Sequence, residues 1–572
     1  MLVGMHIHIV PNRNSAPTVL LRESYRDGRK VAKRTLANLS SLTMEQVEGI
    51  RAVLSGQVLR PVTDLFEITA SRAFGHVDAV ATTIRKLAID TLLAAKPCRE
   101  RELVIAMIAA RILEPNTKLA TTRWWHSTTL AEDFGVADAT EDDLYEAMDW
   151  ILERQDKIQN KLAARHLKKE GLALYDLSSS YFEGTTCPLA KIGYCRDGKK
   201  GLLQVNYGLL TDQRGCPVAI SVYDGNTSDA ETIMPEIDRI KNSFGIDTFV
   251  IVGDRGMISQ KTINDIKNKD GVDWITALKS GAIRTLIEDK TLQPQLFDER
   301  NLFEFTSPEY LGERLIACRN PELAKLRAHK RQSLIEATER ELAKVQAMVE
   351  SGKLTGKDKI GVRTGRVVNK YKVAKHFELT IEDKTFSYER KQDRIASEAA
   401  LDGLYVIRTS LATERMETDD CVRSYKSLVN VERAFRSLKT VDLKIRPIHH
   451  RLENRVRAHI LLCMLSYYVE WHMREAWREL MFADEDQVAK KTRDPVAPAE
   501  RSKAALDKVA SKHLSDHSPV HSFATLLGNL ASIVRNTCRT PQAKHNTSTF
   551  QVTTTASSFQ QHAKNLLNAI KV

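Results

Sequence analysis

Two aspartates lie in apolar surroundings, where a carboxylate is costly unless it is paired, solvated at a cleft or bound to a metal. Asp176 lies inside the run LALYDLSSSYF, and Asp254 directly follows TFVIVG. Both runs read as buried strands, which would hold the aspartates rigidly. If the two carboxylates lie side by side they can share a divalent cation, because hard cations such as Mg²⁺ take oxygen ligands.

A mixed α/β sheet would bring these aspartates together. From Gly171, three strand-like runs (LALYDLSSSYFEG, GLLQVNYGLLTD and PVAISVYDGN) are followed by alternating helices and strands, which predicts a mixed sheet with helices on its faces. In a sheet of order 3-2-1-4-5, the first and fourth strands are parallel neighbours about 4.8 Å apart. Asp176 and Asp254 would then lie at strand ends where ligands collect.

A third acid is needed to complete a site for two metal ions, and Glu432 is the best candidate. It lies in YKSLVNVERAFRSLK, within a helix predicted over about 418 to 440, on the flank of an apolar stripe that should pack on the sheet. Glu183 and Asp229 compete for this role, although Asp229, in GNTSDAET, is expected to cap the helix that follows it. Each acid alone is more often a solvated strand end or half of a surface ion pair, so their combination carries the prediction.

The helix of Glu432 also carries residues that suit phosphate. Tyr425, Glu432 and Lys439 are spaced at i, i+7 and i+14 and share one line, with Arg436 one turn beyond Glu432. A tyrosine, an acid and two cations along one edge are typical of a phosphate-handling face. Tyr425 as an aromatic at the edge of the core is the alternative interpretation.

Length and charge restrict the class of protein. The chain has 572 residues, enough for two to four domains, and a net charge of +12. Such a surplus favours polyanions, nucleic acid foremost, although solubility alone would also explain it. No apolar run is long enough for a membrane span, and MLVGMHIHIVPNRN is too quickly polar for a secretion signal, so we expect a cytoplasmic protein.

The eight cysteines are scattered along the chain, with no CxxC pair and no tight Cys/His cluster in the sequence. This pattern favours free thiols in a reducing compartment over a disulfide framework or a zinc site.

Changes in the pattern of apolar, polar and charged residues along the chain predict six regions. They are a small β-sheet plus helix over 1–58, a helical DNA-binding domain over 59–170, the first part of the α/β core over 171–280, an insertion subdomain over 281–402, the second part of the core over 403–482, and a polar, partly helical region over 483–572. Basic residues and exposed-looking tryptophans (Trp124 and Trp125) favour DNA binding by the helical region, although ordinary bundle packing explains them as well. The Ser/Thr/Gln-rich tail is expected to be loosely ordered.

Together these segments resemble the DDE transposases of bacterial insertion sequences, in the group whose catalytic core is interrupted by an insertion before the final Glu. The resemblance covers most of the chain, and VGDRGM and YKSLVNVERAFRSLK are its most specific segments. It implies a ribonuclease-H-like fold, and it implies that Asp176, Asp254 and Glu432 bind two Mg²⁺ ions, for which Mn²⁺ can substitute. It also implies a homodimer or higher assembly on the transposon ends.

Part of this group carries a Tyr-Arg-Glu-Lys signature on the helix of the final Glu. Tyr425, Glu432 and Lys439 match its Tyr, Glu and Lys, and Arg436 fits an auxiliary basic position. Leu428 stands where the signature has Arg. That departure bears on whether the enzyme passes through a DNA hairpin intermediate, as some relatives do.

The resemblance predicts cut-and-paste transposition, in which double-stranded DNA is cleaved at the transposon ends and joined to a target in the bacterial nucleoid. Arg436 and Lys439 would grip phosphates, and Arg255 would pair with phosphate or with a neighbouring acid. Two alternatives are a ribonuclease-H-like nuclease without strand transfer and a non-catalytic DNA-binding protein derived from a transposase. The basic insertion and the helical region disfavour the first, and the presence of all three acids removes any reason to prefer the second.

Overall fold

The computed structural model describes residues 4–13, 15–57, 66–194, 196, 198–199, 201–293, 297–484, 486, 493–497, 500–539 and 549–571. The expected boundary at 58/59 lies outside these residues. The chain divides into two compact units, Met1–Arg72 with Val534–Thr555, and Ala73–Ile533 with Ala556–Val572.

The strands are, in chain order, β1 (Gly4–Val10), β2 (Thr18–Asp27), β3 (Lys30–Asn38), β4 (Glu67–Ala73), β5 (Leu172–Tyr181), β6 (Lys191–Ile192), β7 (Leu203–Asp212), β8 (Pro217–Asp224), β9 (Phe249–Val252), β10 (Val272–Ala277), β11 (Leu302–Phe305), β12 (Arg314–Arg319), β13 (Phe377–Ile381), β14 (Phe386–Arg390), β15 (Leu404–Thr409), β16 (Val534–Arg539) and β17 (Thr549–Thr553).

The α-helices are α1 (Met44–Leu54), α2 (Gly75–Lys86), α3 (Ile89–Leu93), α4 (Arg99–Leu113), α5 (Lys118–Trp124), α6 (Leu130–Asp133), α7 (Glu141–Leu152), α8 (Gln155–His166), α9 (Asp229–Asn242), α10 (Gln260–Ile266), α11 (Ser280–Glu288), α12 (Pro321–Glu350), α13 (Lys357–Tyr371), α14 (Gln392–Ala399), α15 (Thr418–Lys426), α16 (Leu428–Arg436), α17 (Glu453–Ala476), α18 (Lys503–Ser511), α19 (Phe523–Ala531) and α20 (Ser558–Asn568).

The described residues of the first unit form two small sheets and one helix. One sheet has the order β1-β2-β3 and the other the order β17-β16-β4. Helix α1 begins where Thr43 caps it. The Thr43 hydroxyl accepts the backbone N–H of Gln46 at 3.3 Å, and the Gln46 side chain accepts that of Thr43 at 2.9 Å. These reciprocal bonds satisfy two backbone donors that a helix start otherwise leaves unpaired.

A large mixed sheet forms the centre of the second unit. Its order is β11-β12-β15-β10-β9-β5-β7, and both β6 and β8 pair with the outer edge of β7. Strand pairs β5–β9 and β9–β10 are parallel, and the other described pairs are antiparallel. With the two-residue strand β6 left out of the count, the run β8-β7-β5-β9-β10 has the order 3-2-1-4-5 counted along the chain from β5.

The segment expected as an insertion, 281–402, divides between the large sheet and a separate small body. Its strands β11 and β12 join β15 and extend the large sheet. Its helices α12 and α13 and the hairpin β13–β14 enclose a separate apolar cluster that includes Ile335, Leu342 and Phe377. Part of this segment is therefore an extension of the sheet, and the rest forms a small body with its own core.

Helix α17 links the sheet to the helices that precede it. It packs against α4, α7 and β8, and most of its side chains are buried, which explains its nearly continuous apolar sequence. The expected exposure of the tryptophans is wrong for Trp125, which is 0% exposed, while Trp124 is half-buried against the same core. Both rings therefore serve packing.

Residues 549–571 of the C-terminal tail differ from the expectation of loose order, and 540–548 lie outside the described residues. Strand β17 and helix α20 lie within it, and Ala563 and Leu567 of α20 are fully buried in the core of the second unit. Polar composition misled the prediction because α20 needs only a narrow apolar stripe to dock. None of the helices that the structure describes is both long and apolar enough to cross a membrane.

Candidate active site

The three predicted metal-binding acids line one cleft of about 340 Å³ in the second unit. The residues that line it are Asp176, Leu177, Ser178, Arg196, Asp229, Asp254, Glu432, Phe435, Arg436 and Lys439. They come from β5, the β6–β7 connection, the start of α9, the end of β9, helix α16 and the turn after it. The fold thus gathers acids separated by more than 250 positions of sequence.

The register of the parallel strands explains why Asp176 and Asp254 meet. Leu174 of β5 pairs with Val252 of β9, and each aspartate lies two residues further along its chain. The Oδ1 of Asp254 accepts the backbone N–H groups of Gly256 at 3.0 Å and Met257 at 2.8 Å, which fixes the carboxylate. The Oδ1 of Asp176 accepts the N–H of Leu177 at 2.8 Å.

The cleft carries an excess of negative charge around Asp176. The pKa of Asp176 is raised to about 7, mainly by burial and also by the charges of Asp254 and Asp229, while the Leu177 N–H and the Arg196 guanidinium oppose the shift. Each added anion makes ionisation of Asp176 harder, so a bound cation would relieve the repulsion.

Packing of α16 on the sheet delivers Glu432 to the cleft. Val431 and Phe435 are buried, and the Phe435 ring meets the edge of the Tyr207 ring of β7 with centroids 5.8 Å apart. Glu432 and Arg436 lie on the exposed side of the helix and face the cleft. The apolar stripe therefore orients the helix so that its acid and its cation reach the site.

The helix expected over 418 to 440 is divided into α15, α16 and a π-helical turn over Ser437–Val441. Lys439 lies in that turn and lines the cleft. Tyr425, on α15, is half-buried beside the cleft and does not line it. Its pKa is raised to about 12, first by burial and then by Asp254, with Arg255 opposing the shift.

Five of the seven predicted site residues line the cleft, and Tyr425 and Arg255 lie outside its lining. Arg255 is exposed on the loop that follows β9. Of the competing acids, Glu183 is exposed and does not line the cleft, whereas Asp229 does.

Asp229 does not cap α9, contrary to the expectation. Ser228 is the N-cap residue, and the carboxylate of Glu231 accepts its backbone N–H at 3.2 Å. Asp229 is free of that role and instead forms an ion pair with Arg196 inside the cleft. The Ser-x-x-Glu pattern of Ser228 and Glu231 is typical of a capping box, and it could have identified Ser228, and not Asp229, as the cap from the sequence.

Comparisons with known proteins identify the family. Residues 174–469 match the family described as Transposase DDE domain, and residues 7–62 match the IS1634 family transposase, N-terminal domain. The first match covers more than half of the 572 residues. This chain belongs to the DDE transposases of insertion sequences. The sequence-based resemblance to that family is confirmed.

No curated protein matches the transposase. Among solved structures, the piggyBac transposase synaptic complex with hairpin DNA overlaps it with a TM-score of 0.35 and 9% identity. That overlap covers 79% of this chain and 77% of the other. An overlap this loose carries no conclusion about this protein.

A second pocket of the transposase, about 400 Å³ in volume, was not foreseen from its sequence. Tyr181, Lys199, Thr440, Lys444 and Arg446 line it. Tyr181 ends the strand that carries Asp176, and the Lys199 ammonium lies 3.9 Å from the centre of its ring. The pocket adds a cationic surface, and several of its residues lie within a few positions of cleft residues in the sequence.

Leu428, at the position where the signature has Arg, is half-buried at the start of α16 and packs against the main core. This position therefore brings the transposase an apolar contact and no positive charge.

Proposed function

We propose that this transposase cleaves DNA at the ends of its insertion sequence and joins the freed 3′-hydroxyl to target DNA, with Asp176, Asp254 and Glu432 as ligands of two Mg²⁺ ions. The observation that carries the proposal is the convergence of these carboxylates, from three separate elements, on one cleft.

The donor set fits a hard divalent cation. Carboxylate oxygens are the ligands that Mg²⁺ and Mn²⁺ prefer. The pKa of Asp176 is raised first by burial and then by the neighbouring carboxylates, and a bound cation would favour its ionised form against both. Two backbone N–H groups hold the Asp254 carboxylate in place, so the side chain loses little conformational entropy when a cation binds. When bound, a pair of such ions activates the attacking oxygen and stabilises the leaving oxygen of an in-line displacement at phosphorus.

The protein's own residues would position the DNA. Arg436 and Lys439 line the cleft beside Glu432, where the guanidinium fork and the ammonium would contact phosphates that flank the scissile bond. Arg255 would contact phosphate at the mouth of the site. Tyr425 would bind DNA by stacking or hydrogen bonding near the flanking nucleotide.

The sheet order supports a ribonuclease-H-like core. The run β8-β7-β5-β9-β10, with parallel pairs at β5–β9 and β9–β10, provides neighbouring strands for the first two acids. We infer that 171–280 and 403–482 are the two parts of this core, and that 281–402 is the inserted region that precedes the final Glu.

The remaining regions would bind double-stranded DNA and hold the ends together. The net charge of +12 and the basic second pocket favour a polyanion partner. We infer end recognition by the first unit and by the helices over 73–170, additional contacts by 483–572, and a homodimer or higher assembly on the ends. Its place would be the bacterial cytoplasm, on the nucleoid.

Asp254→Ala tests this function. We expect the variant to bind the terminal repeats as the natural protein does and to lose both cleavage and strand transfer in Mg²⁺. Cleavage without strand transfer by the natural protein would indicate a nuclease, and end binding without cleavage would indicate a non-catalytic DNA-binding protein. Cleavage by Asp254→Ala would contradict the site assignment.

A further inference from the structure

A second group of metal-binding side chains lies in the described part of the chain, apart from the acidic cleft. His166, Cys216 and His472 offer ligand atoms that all lie within 4.8 Å of one another. The Sγ of Cys216 is 4.0 Å from the Nε2 of His166 and 3.9 Å from the Nε2 of His472. These residues are at the end of α8, in the turn between β7 and β8, and on α17.

The separations suit a tetrahedral zinc site. With Zn–S near 2.3 Å and Zn–N near 2.0 Å, a sulfur and a nitrogen on one ion lie about 3.5 Å apart. Each of the two sulfur–nitrogen distances must shorten by about half an ångström, which side-chain rotations supply, and the two nitrogens lie within 4.8 Å of each other. Two imidazoles and one thiolate are a donor set that favours Zn²⁺ over Mg²⁺, because Mg²⁺ prefers oxygen.

We propose that His166, Cys216 and His472 bind one Zn²⁺ ion, which fastens α8 and α17 to the β7–β8 turn. On binding, the Cys216 thiol releases its proton to solvent as the Zn–S bond forms, and each imidazole donates the lone pair of its Nε2. The fourth position falls to the Tyr468 hydroxyl, already 2.9 Å from the Nε2 of His166, or to a water.

The surroundings favour neutral histidines, the form that binds metal. Burial lowers the pKa of His166 to about 4 and that of His472 to about 3. Burial raises the pKa of the Cys216 thiol, so the thiolate forms here only with a cation beside it. An isolated thiol in this place would stay protonated and inert.

Nearby charged groups can complete the outer shell. The carboxylate of Asp212 accepts the backbone N–H of Cys216 at 2.9 Å and is ion-paired with Arg214 at 2.8 Å. The Arg214 guanidinium lies 3.5 Å from the Nδ1 of His166. A metal on Nε2 leaves Nδ1 protonated, so Arg214 would turn fully to Asp212, and Asp212 would orient the ligand set.

This site explains why the cysteine pattern of the sequence indicated no zinc. The three residues are separated by 50 and 256 positions, so no short spacing motif exists. The sheet edge and two helices bring them together only in the folded chain. Since zinc here would be structural, the proposal stands or falls independently of DNA cleavage.

The test is metal binding by the full chain. After chelation, the protein is dialysed against Zn²⁺ with excess Mg²⁺ to occupy the acidic cleft, and bound zinc is measured by mass spectrometry. We expect one more zinc per chain in the natural protein than in Cys216→Ser. Co²⁺ in place of Zn²⁺ should give a thiolate-to-metal charge-transfer band, which reports a cysteine ligand directly.

Matched variants separate binding from folding. Cys187→Ser, which alters another buried cysteine, and Asp254→Ala, in the acidic cleft, should both keep the charge-transfer band. His472→Gln should lose it, with circular dichroism like that of the natural protein. Equal zinc in the natural protein and Cys216→Ser, or a charge-transfer band that persists in Cys216→Ser, would overturn the proposal.

Discussion

Asp176 and Asp254 occupy matching positions on adjacent parallel strands, two residues beyond the paired residues Leu174 and Val252. The strand register thus brings the two carboxylates into the same cleft. Burial is the main cause of the raised pKa of Asp176, and repulsion from the Asp254 carboxylate adds to it, with a measurable consequence.

The Mg²⁺ requirement of cleavage should depend on pH. Burial and the neighbouring acids raise the pKa of Asp176 to about 7, so below pH 7 a proton competes with the metal for this carboxylate. We expect the Mg²⁺ concentration for half-maximal cleavage to rise about tenfold per pH unit as pH falls below 7, and to level off above it. An equal Mg²⁺ requirement at pH 6 and pH 8 would contradict this.

Asp229 and Arg196 should shift that pH dependence in opposite directions. Asp229→Asn removes an anion that raises the pKa of Asp176, so the fall in cleavage on the acid side of the pH profile should move to lower pH. Arg196→Gln removes the opposing cation and should move this fall in cleavage to higher pH. Cleavage measured against pH at limiting Mg²⁺ decides the question. Shifts of the same sign in both variants would show that the ion pair acts through structure and not through charge.

Arg436 should contribute to DNA contact, whereas Arg433 should not. Both are exposed on α16, but only Arg436 lines the cleft. Arg436→Ala should weaken binding of pre-cleaved ends and reduce the slope of log affinity against log salt by about one, because one phosphate contact is lost. Arg433→Ala is the matched control and should leave the slope unchanged. Equal losses would place the DNA elsewhere on this helix.

The buried Glu470 should make stability depend on pH. Burial raises the pKa of Glu470 to about 7, against Arg474 and the Ser437 hydroxyl, so the folded chain holds a proton that the unfolded chain releases near pH 4.5. The protonated form favours folding, and this contribution is lost as pH rises through 7. At pH 5, Glu470→Gln should therefore unfold at a lower temperature than the natural protein. At pH 8 the difference between the two unfolding temperatures should be smaller, because the natural protein has lost the contribution of the protonated Glu470. A constant difference in midpoint would argue against the titration.

Local sequence predicted the acids because local physics positions them. An apolar run that ends in Asp254 is a buried strand with a carboxylate at its tip, and the stripe through Val431 and Phe435 orients Glu432. Parallel pairing of β5 and β9 then follows from the alternation of helices and strands.

Other parts of the site depend on contacts that no local pattern carries. Arg196 reaches the cleft from the connection between β6 and β7, and Tyr181 and Lys444 form a pocket only because strand and turn meet in the fold. The sequence pattern assigned β11 and β12 to an insertion because β12, which pairs with β11, joins the large sheet only through β15, which lies about 90 residues further along the chain. Trp125 looked exposed because aromatic residues among cations suit both a surface and a core.

Glu432→Gln in single-turnover end cleavage is the most direct test of the metal site, because this acid comes from beyond the long interruption in the chain. The change keeps size and hydrogen bonding and removes the charge. We expect cleavage in Mg²⁺ to fall by about a thousandfold or more with end binding preserved. Glu183→Gln, at the exposed competing acid outside the cleft, should cleave normally. Normal cleavage by Glu432→Gln, or its loss in Glu183→Gln instead, would contradict the assignment.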